Sequence, residues 1–259
     1  MSAGRVALRT ALESPASKRV YVRRLFATIA DRYDLITLLL SFGLDRQWKR
    51  RLLSLAGSLP GKRALDLACG TGDIAFAFAE RGASVVGLDI THRMVEIASA
   101  KGRLRSTGRL KSASTETHSA SRTAHCAFLV GDMMALPFAD AQFDVITTGY
   151  GLRNVPELAG AIAEIERVLR PGGLLLSLDF NRPRNAAVRA VYLAYLTAIG
   201  GALGFILHRD PDTYRYIPQS IRRYPGAPVV AQMMCEQGFS NAEWLPVLGG
   251  LMAIHVAKK

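Results

Sequence analysis

A chain of 259 residues that is 49% hydrophobic and 21% charged can bury a real core, because about 70–75% of chain surface is covered at this size. Disorder as the dominant state is excluded, and one globular domain, or one domain with a helical cap, fits the length. The formal net charge of +12 suits an anionic partner, nucleic acid or an anionic membrane face, and charge alone does not separate the two. Three cysteines without regular spacing do not make a disulfide framework, so Cys69, Cys126 and Cys235 read as reduced residues of a cytosolic protein. No CxxC pair and no HExxH motif is present, so the sequence offers no metal site.

Residues 1–17 carry arginines, serines and one acid, Glu13, without the apolar core of a secretory signal. They read as a disordered N-terminus rather than a transit peptide. From Lys18 to Tyr33, Val22, Leu25, Phe26, Ile29 and Ala30 recur at helical spacing. A second apolar stretch at Leu38–Leu40 leads into a basic helix ending near Ala56, and Pro60-Gly61 breaks the chain. Residues 1–60 are therefore expected to form an N-terminal helical cap and 61–259 the core.

Past that break, strands and helices alternate. Strands are expected at Ala64–Ala68, Ser84–Asp89, Phe128–Val130, Phe143–Thr148 and Leu174–Phe180. Helices are expected from about Gly72 to Arg81, over Arg93–Lys101 and over Glu157–Arg170, the last stopped by Pro171-Gly172-Gly173. Two further strands after Gly238, divided by Gly249-Gly250, read as a closing hairpin. This alternation predicts an α/β, doubly wound, mostly parallel sheet. Residues 102–125, GRLRSTGRLKSASTETHSASRTAH, interrupt it as a polar insertion too poor in large apolar residues to bury itself. His118 and His125 beside it show no ligand pattern.

The strongest local signal is ALDLACGTGD, residues 64–73. A strand ends there in a turn whose Gly70 and Gly72 let the backbone approach a ligand at the following helix N-terminus. Asp89 follows 17 residues after Gly72, at a strand end where a carboxylate can accept both ribose hydroxyls of a nucleoside. Taken alone, Gly70–Ala75 also satisfies a dinucleotide fingerprint. Three features favour another cofactor: Asp66 before the first glycine, GDMMALPF with Asp132 placed to read an adenine amino group, and RVLRPGG before a strand. In that order they resemble the class I S-adenosylmethionine-dependent methyltransferases, whose Rossmann-like fold has a seven-stranded sheet.

The segments YDLITLLLSFGLDRQWKR (33–50), GYGLRNVPE (149–157), RVLRPGG (167–173) and DPDTYRYIPQSIRRYP (210–225) sharpen the likeness. They resemble the ubiquinone/menaquinone biosynthesis C-methyltransferase family over roughly residues 18–259, apart from the insertion. The resemblance implies C-methylation of a 2-polyprenyl-benzoquinol or a demethylmenaquinol, with S-adenosylhomocysteine as co-product. It carries the cofactor positions onto Thr71, Asp89, Asp132 and Met133, and the expected cofactor set is Asp66, Gly70, Thr71, Gly72, Asp89, Ile90, Asp132, Met133 and Gly149. Two positions depart from the family pattern: Gly149 stands where serine is frequent and Asp45 where histidine is usual.

A quinol ring carbon becomes nucleophilic when the neighbouring hydroxyl loses its proton. Arg153 is the leading candidate to stabilise the phenolate and orient a water, being too weak an acid to serve as a base. Asn154 is expected to hold the second ring oxygen, with Asp212, Tyr214 and Tyr216 shaping the substrate site or relaying protons. Residues 190–207 are 18 residues without a charge, just short of the ~20 that a spanning helix needs, and Gly200-Gly201 and Gly204 weaken a continuous helix. They read as part of a lid, residues 184–225, over the quinol pocket. The positive charge then suits peripheral attachment to the inner face of the membrane, with a homo-oligomer or a quinone-biosynthesis complex as further partners. Competing readings are another small aromatic acceptor, RNA methylation and a scaffold. Against RNA, no recognisable binding module is present and the charge is not paired with aromatic residues.

Overall fold

The computed structural model describes residues 14–107, 126–183, 185–210 and 212–259. The first helix, α1, spans Pro15–Ile29. Its start is fixed by a reciprocal cap: Ser17 N donates to Ser14 Oγ at 3.2 Å and Ser14 N to Ser17 Oγ at 3.3 Å, with Pro15 preset for a first turn. Residues 14–17 are therefore ordered around this cap, against the expected disorder of 1–17, whose remainder lies outside the described residues. A short turn at Ala30–Arg32 separates α1 from α2 (Tyr33–Leu40), and α3 runs from Asp45 to Leu55.

The core then alternates: β1 (Arg63–Leu67), α4 (Asp73–Glu80), β2 (Ser84–Asp89), α5 (His92–Ser106), β3 (Cys126–Val130), β4 (Phe143–Gly149), α6 (Leu158–Val168) and β5 (Leu169–Phe180). Helix α7 (Ala186–His208), α8 (Tyr216–Arg223) and α9 (Ala227–Glu236) precede the hairpin of β6 (Asn241–Val247) and β7 (Met252–Lys258). The seven strands lie in the order β3-β2-β1-β4-β5-β7-β6, all parallel except β7, which runs antiparallel to both neighbours.

The central strands bury both faces, as parallel strands covered by helices must. Successive side chains alternate. Leu65, Leu67, Ile146 and Leu175 join the side covered by α6 and α9, while Ala64, Val145, Leu176 and Leu178 join the side covered by α3 and α4. On that second side Leu52, Leu53 and Leu59, from the first 60 residues, sit in one cluster with Phe78 and Val85.

Three boundaries differ from the sequence reading. Helix α5 continues to Ser106, so residues 102–106 of the expected insertion are helical, extended by Arg105 pairing with Glu80 at 2.5 Å; residues 108–125 lie outside the described residues. Helix α6 ends at Val168, ahead of the Pro-Gly-Gly triplet, because Leu169 already pairs with Phe143 in the sheet. Helix α7 is continuous for 23 residues despite its glycines. Gly200 is needed there, since a Cβ would stand 3.2 Å from the Tyr214 Cβ.

Gly87 in β2 faces the Phe128 ring and Cys69, and an added Cβ would meet Phe128 Cδ1 at 2.5 Å and Cys69 Sγ at 3.1 Å. Gly87→Ala is expected to destabilise the fold by about 1–3 kcal/mol through overpacking. A urea midpoint equal to that of the parent protein would show that the ring yields freely.

Candidate active site

The sheet order reverses between β1 and β4, and ligands of such sheets bind beyond the carboxyl ends of the strands at that point. A chamber of about 70 Å³ lies there. Ala68 and Gly70 follow β1 on its wall, Asp89 and Ile90 end β2, Gly131–Met133 follow β3, and Gly149–Gly151 end β4. Gly70 takes φ +53°, a conformation that glycine adopts without strain. Asp89 is buried, its Oδ2 accepting from Gly70 N at 2.9 Å and its Oδ1 from Thr91 N at 2.8 Å. Burial pushes its carboxyl above the usual range, against the pull of those two amides. A carboxylate has about four acceptor positions, so Asp89 keeps capacity for a diol.

Helix α1 covers this chamber with Arg19, Val22 and Phe26. Arg19 Nη2 stands 2.7 Å from Asp132 Oδ2, while Asp132 Oδ1 accepts from Met134 N at 2.9 Å. A side chain at Gly149 would place its Cβ 2.9 Å from Ile74 Cδ1, so the end of the Ile74 side chain would have to shift.

Three members of the expected cofactor set stand outside the chamber. Asp66 is buried behind the glycine turn, where Oδ2 accepts from Ala75 N at 3.1 Å and Oδ1 from the Thr147 hydroxyl at 2.9 Å. It ties α4 to the sheet, off the chamber wall. Thr71 donates from its hydroxyl to Asp34 Oδ1 at 2.6 Å, which turns it toward α2. Gly72, at φ +91°, leaves room for Phe76 and Phe128, whose rings would lie 2.8 and 3.0 Å from a Cβ.

Phe26, Tyr33 and Tyr150 line both this chamber and a second one of about 280 Å³. The second chamber is largely apolar, walled by Leu25, Ile29, Ile36, Phe180, Leu196 and Leu251 among others. Arg153 reaches it from a buried position. Its Nε lies 3.5 Å from Asp179 Oδ1, Nη1 donates to Tyr150 O at 3.2 Å and to Asn154 Oδ1 at 3.0 Å, and the guanidinium lies 4.8 Å from the centre of the Phe180 ring. Asn154 Nδ2 donates to the same Tyr150 carbonyl at 2.7 Å, and Tyr216 Oη donates to Asn154 Oδ1 at 2.9 Å. Arg153, Asn154 and Tyr216 thus form one cluster, and Asp179, its buried anion, was not picked out from the sequence. Burial pushes the Asp179 carboxyl upward despite Arg153.

Tyr214 is buried on the apolar wall and its Oη lies 2.8 Å from His208 Nε2. Asp212 does not join the site. It is exposed and pairs with Arg215 at 2.7 Å, three residues on.

Sequence reasoning also missed Tyr33 and Tyr150 as the shared wall. Tyr150 has φ +61°, a strained conformation for a bulky residue, and its Oη donates to Asp45 Oδ1 at 2.6 Å. Asp45 pairs with Lys49 at 2.8 Å, and Lys49 reaches Asp73 at 3.2 Å. Burial pulls the Lys49 ammonium down, but Asp73 and Asp45 together hold it above its usual range. Asp45 was visible only as a departure from a family pattern.

Burial pushes the Asp66 carboxyl up to about 7, against the hydrogen bonds from Thr147 and Ala75. Between pH about 4, where it titrates in an unfolded chain, and pH about 7, the folded protein holds a proton that the unfolded chain has lost. Stability contributed by this group therefore falls as pH rises through that window. Asp66→Asn removes the titration, and the urea midpoint is expected to vary less with pH there than in the parent. An unchanged slope would assign the dependence to other groups.

The chain is 35% identical over 238 residues to the ubiquinone/menaquinone biosynthesis C-methyltransferase UbiE of Shewanella sp. strain ANA-3, covering 90% of this chain and 88% of that one. To the protein of the same name from Francisella philomiragia it is 36% identical over 245 residues, covering 93% and 92%. Among solved structures, the methyltransferase bound to the Haloferax volcanii Trm112 activator superposes with a TM-score of 0.61 at 16% identity, over 90% of this chain and 96% of that one. An S-adenosylmethionine-dependent methyltransferase from Aquifex aeolicus gives 0.54 at 15% identity, over 81% and 88%. These distant structures share the fold seen here, an α/β seven-stranded sheet with one reversed strand. The family profile itself spans residues 14–259, and the chain belongs to the ubiE/COQ5 methyltransferase family.

Proposed function

We propose that the protein moves a methyl group from S-adenosylmethionine to a ring carbon of a prenylated quinol, a 2-polyprenyl-benzoquinol or a demethylmenaquinol. The observation that carries this reading is the pair of chambers meeting at Tyr33 and Tyr150, one rimmed by carboxylates and glycine backbone and the other apolar. The donor set fits a nucleoside: Asp89 for a ribose diol, Asp132 for an adenine edge, and Ile90, Met94 and Met133 for the flat faces of a base. S-adenosylmethionine brings a methyl group already activated on a sulfonium, so the chain's task is to orient the acceptor and exclude water.

The apolar chamber holds the ring and the first part of its tail. Arg153, fixed by Asp179 and lying on the chamber wall, is placed to stabilise charge that develops on a ring oxygen. Asn154 is engaged by Tyr216, Arg153 and the Tyr150 carbonyl. It works as the brace of that wall, in place of the direct ring contact that the sequence suggested.

Helix α7 is long and apolar enough to cross a membrane, with 28% of its most apolar stretch buried. Tyr192, Leu193, Leu196, Gly200 and Gly204 face inward, while Val191, Phe205 and Ile206 are exposed, with Phe42 exposed on the loop after α2. Phe42 and Tyr195 both line the apolar chamber and their rings lie 6.3 Å apart. This outer face, together with the net charge of +12, supports a reading in which α7 lies on the inner surface of the membrane, where a prenylated substrate resides.

With methyl-labelled S-adenosylmethionine and reduced quinol analogues, label is expected on a ring carbon in the lipid fraction. Cofactor binding without label on either quinol class, alongside an active control enzyme, would remove the quinol reading and leave another small aromatic acceptor. Asp89→Ala is expected to weaken S-adenosylhomocysteine binding by about tenfold or more, the loss of one or two charge-assisted hydrogen bonds. Unchanged binding measured by calorimetry would place the ribose elsewhere.

A further inference from the structure

Arg153 leaves the proposed reaction without a base, because a guanidinium stays charged up to a pH above about 12 and this one is held by Asp179, Asn154 and the Tyr150 carbonyl. A proton acceptor has to stand where the two chambers meet, beside the ring carbon and its hydroxyl. Among the described residues, Tyr33 and Tyr150 are the titratable ones that line both chambers, and the Tyr150 ring packs 5.7 Å from that of Phe180 on the apolar wall. Tyr150 has a carboxylate behind it, Asp45 Oδ1 at 2.6 Å. Asp45 in turn lies on the wall of an outer groove of about 710 Å³ formed by residues of α2, α3 and α4. The contact therefore links the interior wall to a solvent-facing groove through two side chains.

The surroundings suit such a path. Lys49 pairs with Asp45 at 2.8 Å and is itself held by Asp73 at 3.2 Å. Tyr33 packs beside the pair from α2, and Asp179 acts on Tyr150 from β5. The Tyr150 backbone is kept in its left-handed conformation, costing about 1–3 kcal/mol, by Arg153 Nη1 and Asn154 Nδ2, which both donate to its carbonyl. Strain retained under two clamps is a mark of a working position. Tyr214 with His208 is a second tyrosine backed by a base, but Tyr214 lines only the apolar chamber, away from the cofactor opening.

We propose that Tyr150 and Asp45 form the proton exit of the methyl transfer, with Tyr150 as the catalytic residue that takes the quinol hydroxyl proton and Asp45 as the positioning residue that receives the tyrosine proton. The proposal rests on the quinol reading above. The quinol O–H bond breaks as Tyr150 Oη accepts the proton, and the Tyr150 O–H bond breaks as its proton passes to Asp45 Oδ1. The electron pair left on the quinol oxygen moves into the ring, and the ring carbon forms its bond to the methyl group. The sulfur–methyl bond breaks with its pair remaining on sulfur, giving the thioether. Transfer of the ring C–H proton to the quinol oxygen restores the aromatic quinol. One net proton leaves from Asp45 into the groove.

The test uses the full chain with labelled S-adenosylmethionine and a quinol that the parent enzyme methylates, following kcat and KM against pH. Tyr150→Phe and Asp45→Asn are expected to lower kcat by about 100-fold or more, with KM and S-adenosylhomocysteine binding little changed. Asp45→His is expected to restore turnover with an acid limb near the imidazole range, about pH 6.5. A purely structural contact would produce no such limb. Should Asp45→Asn fail to bind S-adenosylhomocysteine, Tyr150→Phe and Asp45→His carry the decision. Parent-level kcat in Tyr150→Phe, a change in KM alone, or an Asp45→His profile equal to the parent's would overturn the proposal. So would loss of turnover in Tyr214→Phe with Tyr150→Phe unaffected, which would move the exit to His208. A parent enzyme that labels no quinol shows the acceptor reading itself to be wrong before any variant is compared, and the relay falls with it.

Discussion

The turn at Tyr150 is the constraint on which the site depends. Its left-handed backbone lets β4 end on the cofactor side while the tyrosine ring faces the apolar side, and the amide donates to Leu178 O at 2.7 Å. Arg153 and Asn154 close over its carbonyl, Asp179 accepts from the Arg153 amide at 3.1 Å, and Tyr216 reaches in from α8. The residues of the GLRN segment thus act on the turn before they act on any ligand. Because a half-satisfied buried polar network is costly, removing one member is felt by all of the others.

The same turn explains how the N-terminal helices and the sheet come to share a site. Tyr150 reaches Asp45 in α3, Thr71 reaches Asp34 in α2, and Lys101 in α5 joins Asp34 at 2.6 Å. Lys18 in α1 donates to the carbonyls of Arg153 and Val155, and burial beside Arg153 and Arg223 lowers its ammonium to about 8. These links cross from the helices to the loops at the carboxyl ends of the strands. They hold α1 over the first chamber while α2 and α3 wall the apolar one.

The architecture was legible because its determinants are local. Alternating strand and helix periods, the positive-φ glycines of ALDLACGTGD and the closing Gly249-Gly250 break each announce an element from its own residues. That Gly70, Asp89, Ile90, Asp132, Met133 and Gly149 gather on one chamber wall was legible for the same reason, since they stand at or just beyond strand ends that the pattern already located. The partners of Asp66 and Thr71 were not legible, because Thr147 and Asp34, which hold them off the chamber wall, are distant in sequence. Asp212 pairs with Arg215, three residues on. Tyr150 stood inside GYGLRNVPE without being singled out, since what marks it is a left-handed backbone and a carboxylate 105 residues away. The continuity of α7 was equally hidden, because what glycine costs in helix propensity it returns in close approach to Tyr214.

Two chambers meet at Tyr150, and the proposed reaction requires a sulfonium and a ring carbon to come together there. The most direct measurement is a crystal structure of the protein with S-adenosylhomocysteine and a short-tailed quinol. The account predicts the ribose on Asp89, the ring in the apolar chamber with an oxygen against the Tyr150 hydroxyl, and sulfur separated from the ring carbon only by the span of a transferring methyl group. A quinol bound outside the apolar chamber, or a ring whose oxygens face away from Tyr150 with the sulfur on another wall, would contradict it.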